Sequence, residues 1–150
     1  MERSTFAKAP QKFEAGVPNL AQAVGLAAAV QYLEHIGMER IAQHEHVLTE
    51  AALDALHEIE GVRIIGPDTA KDRGSAVSFT VRDLHPHDVG QVLDAHGVAV
   101  RVGHHCAWPA CRRYGVPATT RATFYLYNDL NDVAALAAAV RAAQQYFKVA

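Results

Sequence analysis

The chain has 150 residues, half of them hydrophobic, and a formal net charge of −2. That length suits one domain with a real core, and so small a charge excludes a surface built to attract nucleic acid or anionic lipid. No run of about 18 apolar residues is present to span a bilayer, Met1-Glu2-Arg3-Ser4 lacks the apolar stretch of a signal peptide, and two cysteines are too few for a disulfide framework, so a reducing, cytoplasmic setting is expected.

Residues 1–18 read as a loop punctuated by Pro10, Gly16 and Pro18. Asn19 can cap a helix, with Gln22 as its returning partner. The segment from Ala23 to Val30 is apolar nearly all round, which predicts a helix covered on most sides by another domain or subunit. Gly37 stops it. Met38 to Glu60 is an amphipathic helix with Ile41, Leu48, Ala52, Leu56 and Ile59 on one stripe. Val62 to Pro67 predicts a short strand and turn, and Ala76 to Val81 alternates as a second strand. His87 to His96 reads as a helix with Val89, Val92 and Leu93 inward and Gly97 as its stop. Val98 to Val102 is a third predicted strand, Ala107 to Tyr114 a short helical or turn segment, and Arg121 to Tyr127 a fourth strand. Asp129 then caps a final helix carrying Val133, Leu136, Val140 and Phe147. The intermixed order predicts an α/β fold, an α+β sandwich.

The chemistry concentrates at Arg101-Val102-Gly103-His104-His105-Cys106-Ala107-Trp108-Pro109. A β-branched run meets a glycine, two histidines and a thiol, and a turn follows. Such an arrangement presents Cys106 as a nucleophile; the alternative is a small buried apolar residue. His104, His105, Cys106 and Cys111 suggest zinc, but adjacent extended residues face opposite ways and no CxxC knuckle is present. Cys111 is incidental or half of a redox pair with Cys106. Arg121 has two readings, a fork that clamps a carboxylate or a solvated strand end, and Arg101 shares them. His85-Pro86-His87-Asp88 is a helix start whose His87 or Asp88 caps it, or an exposed imidazole for a metal or a proton. Glu14 to Asn19 ends at a helix N-terminus, which is an anion site or a plain turn.

Four blocks together resemble the C-terminal part of the SUF-type cysteine desulfurases, class V aminotransferases of the fold type I pyridoxal-phosphate group. They are Phe13-Glu14-Ala15-Gly16-Val17-Pro18-Asn19, His85-Pro86-His87-Asp88-Val89, the Arg101-to-Cys106 run, and Arg121-Ala122-Thr123-Phe124-Tyr125-Leu126-Tyr127-Asn128. The resemblance covers essentially the whole chain. It implies a homodimeric enzyme that takes sulfur from L-cysteine (or selenium from L-selenocysteine), leaves L-alanine, and passes the sulfur to an acceptor protein for iron–sulfur cluster assembly. By resemblance Cys106 is the nucleophile and persulfide carrier, and Arg121 binds the substrate carboxylate. His87 matches a histidine that takes over a zinc ligand position when a zinc-containing acceptor docks.

Two departures accompany it. Val17 stands where the family has a threonine that contacts the cofactor phosphate of the neighbouring subunit; valine has no hydroxyl, which leaves the backbone of Gly16 and Val17. The lysine that holds pyridoxal phosphate is missing, since Lys8, Lys12, Lys71 and Lys148 lie outside any such motif. The expectation is therefore a fragment. Met1 would be internal to a longer protein, residues 1–37 would link from a large cofactor domain, and residues 38–150 would form the small C-terminal domain. Alone, the fragment should be inactive. The competing reading is a non-catalytic persulfide carrier or a metal- or partner-binding module.

Overall fold

The computed structural model describes residues 3–149. The chain divides into two compact units, Met1–Met38 and Glu39–Ala150. In the first, a single 3-10 turn, Gln11–Phe13, interrupts the expected loop. Helix α1, Leu20–Ile36, follows, and the Asn19 side chain accepts the Gln22 N–H as its cap. Gly37 ends it with φ +96, a conformation that costs a glycine little. No residue of α1 is buried: Leu20, Val24 and Leu26 are each about two-thirds exposed or more.

The second unit is a four-stranded sheet with its three longer helices on one face and a short one on the other. Helix α2 is Met38–His57, and its stripe of Ile41, Leu48, Ala52 and Leu56 is buried, with Ile59 just beyond. Strands β1, Val62–Ile65, and β2, Ala76–Val81, precede helix α3, Pro86–Ala95. Strand β3 is Arg101–Gly103, helix α4 Trp108–Tyr114, strand β4 Thr119–Thr123 and helix α5 Leu130–Phe147. All pairings are antiparallel in the order β1-β2-β4-β3. Side chains alternate between sheet faces, so Val77, Phe79, Val81 and Ala122 enter one core with Leu56 of α2, Leu93 of α3 and Val140 of α5. Complete burial of side chains of this size contributes about 1.5–3 kcal/mol each, which makes this core the main stabilising force.

The other face carries a row across all four strands. Ile65 pairs with Ser78, Ser78 with Arg121, and Arg121 with Arg101. Directly opposed residues project from the same face, so these four side chains lie side by side. Part of that face is roofed by α4, where the Arg63 guanidinium donates to the Tyr114 carbonyl at 3.1 Å.

Several predicted boundaries shift. Helix α3 starts at Pro86 and is capped by His85, whose Nδ1 accepts the His87 N–H, rather than by His87 or Asp88. Strand β3 has three residues, because Val98 and Val100 turn into the core before the ladder begins. Strand β4 starts two residues early and ends at Thr123. The reason is a turn: the Asn128 amide oxygen accepts the Tyr125 N–H at 2.9 Å, and Asn128 N–H returns to the Tyr125 carbonyl. Arg121 is therefore central in its strand, not at its start. Phe147 of α5 stays exposed.

Candidate functional site

The site grows from the end of β3. The ladder closes where Gly103 pairs with Thr119, and the chain then leaves the sheet. His105 and Cys106 both adopt left-handed backbone, φ +54 and +57, although each carries a β-carbon. Short polar contacts hold this bend. His104 Nδ1 accepts the Cys106 N–H at 3.0 Å, and the Ala107 N–H donates to the His104 carbonyl at 2.8 Å. The His104 ring stacks on Trp108 with centroids 4.4 Å apart. The bend turns Cys106 outward, and its thiol is exposed.

Behind the bend lies a cavity of about 280 Å³ between the open sheet face and α4. Ile65, Ser78, Thr119 and Arg121 form the sheet wall; Ala110 and Cys111 belong to the opposite one. His104, His105 and Ala107 line it too, so Cys106 stands at its lip between two lining residues. The Arg121 side chain makes no hydrogen bond or ion pair among the described residues, and its Nε is buried without a partner. A buried N–H with no acceptor is costly, by about 1–3 kcal/mol, which suits a site completed by an anionic ligand. An arginine offers a carboxylate a planar pair of donors. Arg101 opposes Arg121 across the ladder, and the two border a shallow groove beside the cavity.

His105 completes the corner. Its Nε2 lies 2.8 Å from the Thr119 hydroxyl, while its Nδ1 is buried without a partner. Burial first, and the Arg121 guanidinium second, push this imidazole below the ordinary histidine value.

The remaining expectations fall elsewhere. Cys111 is buried, its Sγ 4.0 Å from the His104 carbonyl, and it lines the cavity. His87 is exposed on the first turn of α3 and borders a different groove with Gly90, Asp94 and Val102. Gly16 and Val17 belong to the first unit. A Cβ at Gly16 would meet no atom within 4 Å, and Val17 is 89% exposed. Among the described residues no three His, Cys, Asp or Glu side chains converge on a metal position. The imidazoles of the His-His pair are engaged with Cys106, Trp108 and Thr119 instead.

Sequence reasoning singled out Cys106 and Arg121 and missed Thr119 and Ser78. A signal for Thr119 was present, since Thr119 and Arg121 stand two apart on one strand and share a face. It was hidden by starting the strand at Arg121. Pyridoxal phosphate does not fit the cavity as a group this chain holds. No lysine lines it, and its polar donors suit a carboxylate.

The family model described as aminotransferase class-V matches residues 1–136. The chain is 59% identical over 147 residues to a probable cysteine desulfurase of Streptomyces coelicolor, covering 98% of this chain and 35% of that protein. It is 47% identical to a cysteine desulfurase of Haloferax volcanii, covering 97% and 34%. Among solved structures, the apo cysteine desulfurase of Thermococcus onnurineus NA1 superposes with a TM-score of 0.85 at 42% identity, over 94% of this chain and 35% of that one. Cysteine desulfurase CsdA of Escherichia coli gives 0.83 at 35% identity, over 93% and 34%. The chain thus spans about a third of the length of the relatives it matches. With its mixed helix-and-sheet architecture, its thiol-bearing bend and a family match over most of its length, the chain belongs to the class-V aminotransferases.

Proposed function

We propose that these residues form the C-terminal part of a pyridoxal-phosphate-dependent cysteine desulfurase. Cys106 is the group that receives sulfur, and Arg121 is the group that holds the carboxylate of L-cysteine. The observation that carries this reading is an exposed thiol at the lip of a cavity whose wall bears an arginine with no protein partner. The similarity to proteins named cysteine desulfurase supports it.

The chemistry balances as a sulfur transfer. The Cys106 thiolate bonds to the sulfur of the substrate, the substrate carbon–sulfur bond breaks, and its electron pair stays with the carbon. A proton taken up there leaves L-alanine, and Cys106 carries a persulfide. Pyridoxal phosphate supplies the electron sink when bound. It requires a lysine that is not among these residues, so in this proposal residues 1–37 connect to a cofactor domain and residues 38–150 form the small domain. Gly16 and Val17 then offer only backbone donors to the cofactor phosphate of a neighbouring subunit, in a homodimer. Arg121 orients the substrate so that its sulfur meets Cys106.

The persulfide passes to an acceptor protein of the SUF system, for iron–sulfur cluster assembly in the cytoplasm. The exposed His87 supports docking of a zinc-bearing acceptor. The test is a holoenzyme containing these residues, loaded with pyridoxal phosphate and given L-cysteine. Alanine should form, with one extra sulfur mapped to Cys106 by mass spectrometry, and Cys106→Ser should abolish both. Undiminished alanine from C106S, or sulfur on Cys111 alone, would overturn the assignment.

A further inference from the structure

We propose that the hydrogen bond between His105 and Thr119 is a pin that fixes the Cys106 bend to β4, which makes both of them positioning residues for the thiol. The functional meaning of the pin rests on Cys106 being the sulfur acceptor; its existence is testable without that.

Two consecutive left-handed residues with β-carbons, His105 at φ +54 and Cys106 at +57, persist only where their surroundings over-determine them. The Cys106 N–H bond to His104, the Ala107 N–H bond to the His104 carbonyl and the stack on Trp108 are local. They shape the bend but would travel with it. The bond from His105 Nε2 to the Thr119 hydroxyl, 2.8 Å long, joins the bend to the sheet. Its anchor is rigid, since Thr119 is only 3% exposed and sits in the ladder opposite Gly103. Thr119 also shares a sheet face with Arg121 two residues on. Pinning His105 there sets the thiol relative to the guanidinium.

The surroundings of the pin favour a neutral ring. A cationic His105 would present two N–H groups, and its buried Nδ1 has no acceptor. Arg121 on β4, Arg101 on β3 and His104 in the bend disfavour a second positive charge, a hydrogen bond to the Thr119 backbone favours it, and Cys111 and Tyr114 of α4 face the same cavity. A proton on Nδ1 would be a buried donor with no acceptor, so the neutral ring keeps its proton on Nε2, which donates to the Thr119 hydroxyl.

The experiment compares this chain with T119V, T119S and H105F by amide hydrogen exchange and by ring ¹⁵N shifts of His105. In T119V the amides of Cys106 and Ala107 should exchange about tenfold faster, as expected for one lost hydrogen bond. T119S should keep the wild-type rates. H105F should match T119V, and the double variant should be no looser than either single one. His105 should show one tautomer in wild type and in T119S, and a mixture in T119V. Wild-type rates at Cys106 in T119V and H105F, a T119S as loose as T119V, or a tautomer mixture in the unaltered chain would overturn the proposal. The last readout stands even where a variant does not fold.

In a holoenzyme, T119V should slow persulfide formation about tenfold and move KM for cysteine by less than about twofold. A holoenzyme that makes no alanine at all would sink the desulfurase reading and leave the exchange result intact.

Discussion

In the proposed desulfurase Cys106 and Arg121 have different roles, and their substitutions should separate accordingly. Arg121→Lys keeps the charge and loses the planar fork, so in the holoenzyme KM for L-cysteine should rise about tenfold or more, read from initial rates of alanine release. His105 adds a pH dependence. Its value in the folded chain lies below the ordinary 6.5, so as pH falls the unfolded chain takes up the proton first. Stability from this group is full above about pH 6.5 and declines from there toward the lowered folded value. Thermal melts between about pH 8 and 5 should show that decline, and H105F should remove it. Asp132 works in a lower window. Its hydrogen bonds from the Asn128 amide and the Asp129 N–H hold its carboxyl below the ordinary range, and that stability is lost as pH falls through the carboxylate region. The types of residue at 106 and 121 were legible, because a thiol beside two imidazoles and an arginine in a β-rich run are local patterns. The lowered value of His105 was not, since burial and the guanidinium of Arg121 on β4 cause it.

Helix α3 approaches β3 closely at Gly90. A Cβ on Gly90 would stand 2.6 Å from Val102 Cγ1, and a valine side chain has little freedom to give way. Gly90→Ala should therefore destabilise the fold by about 1–3 kcal/mol in urea melts, and V102A in the same chain should recover part of the loss. At the far end, Asp129 and Asp132 form a reciprocal capping box at the start of α5. Asp129→Ala should cost about 1 kcal/mol by the same measurement. That cap was readable from the sequence, as were the stripe of α2 and the limits of β2, because caps and periodicity depend on neighbours a few residues away. The ends of β3 and β4 were not readable. An apolar run such as Val98 to Val102 suits a strand or a core-facing loop equally well, and Asn128 folding back on Tyr125 decided where β4 stops.

The chain as a whole carries two consequences of its composition. None of its four lysines lines the cavity, so the 150 residues supplied with pyridoxal phosphate and L-cysteine should release no alanine. Measurable alanine would show that the cofactor needs no lysine from elsewhere. Exposed apolar side chains on α1, among them Val24 and Leu26, should make the chain self-associate in sedimentation at rising concentration. A monodisperse monomer would count against that, and V24E with L26E should suppress it.

By itself the sequence determined the helices, the caps of α1 and α5, the mixed fold class and the family resemblance, because each rests on residues close in the chain or on motifs read in order. Only the tertiary structure decided the site. Ile65, Ser78, Arg121 and Arg101 meet in one row because strand register pairs residues far apart in sequence, and no local preference sets that register. The same non-local pairing brings Thr119 under His105, and with it the thiol to the mouth of the cavity.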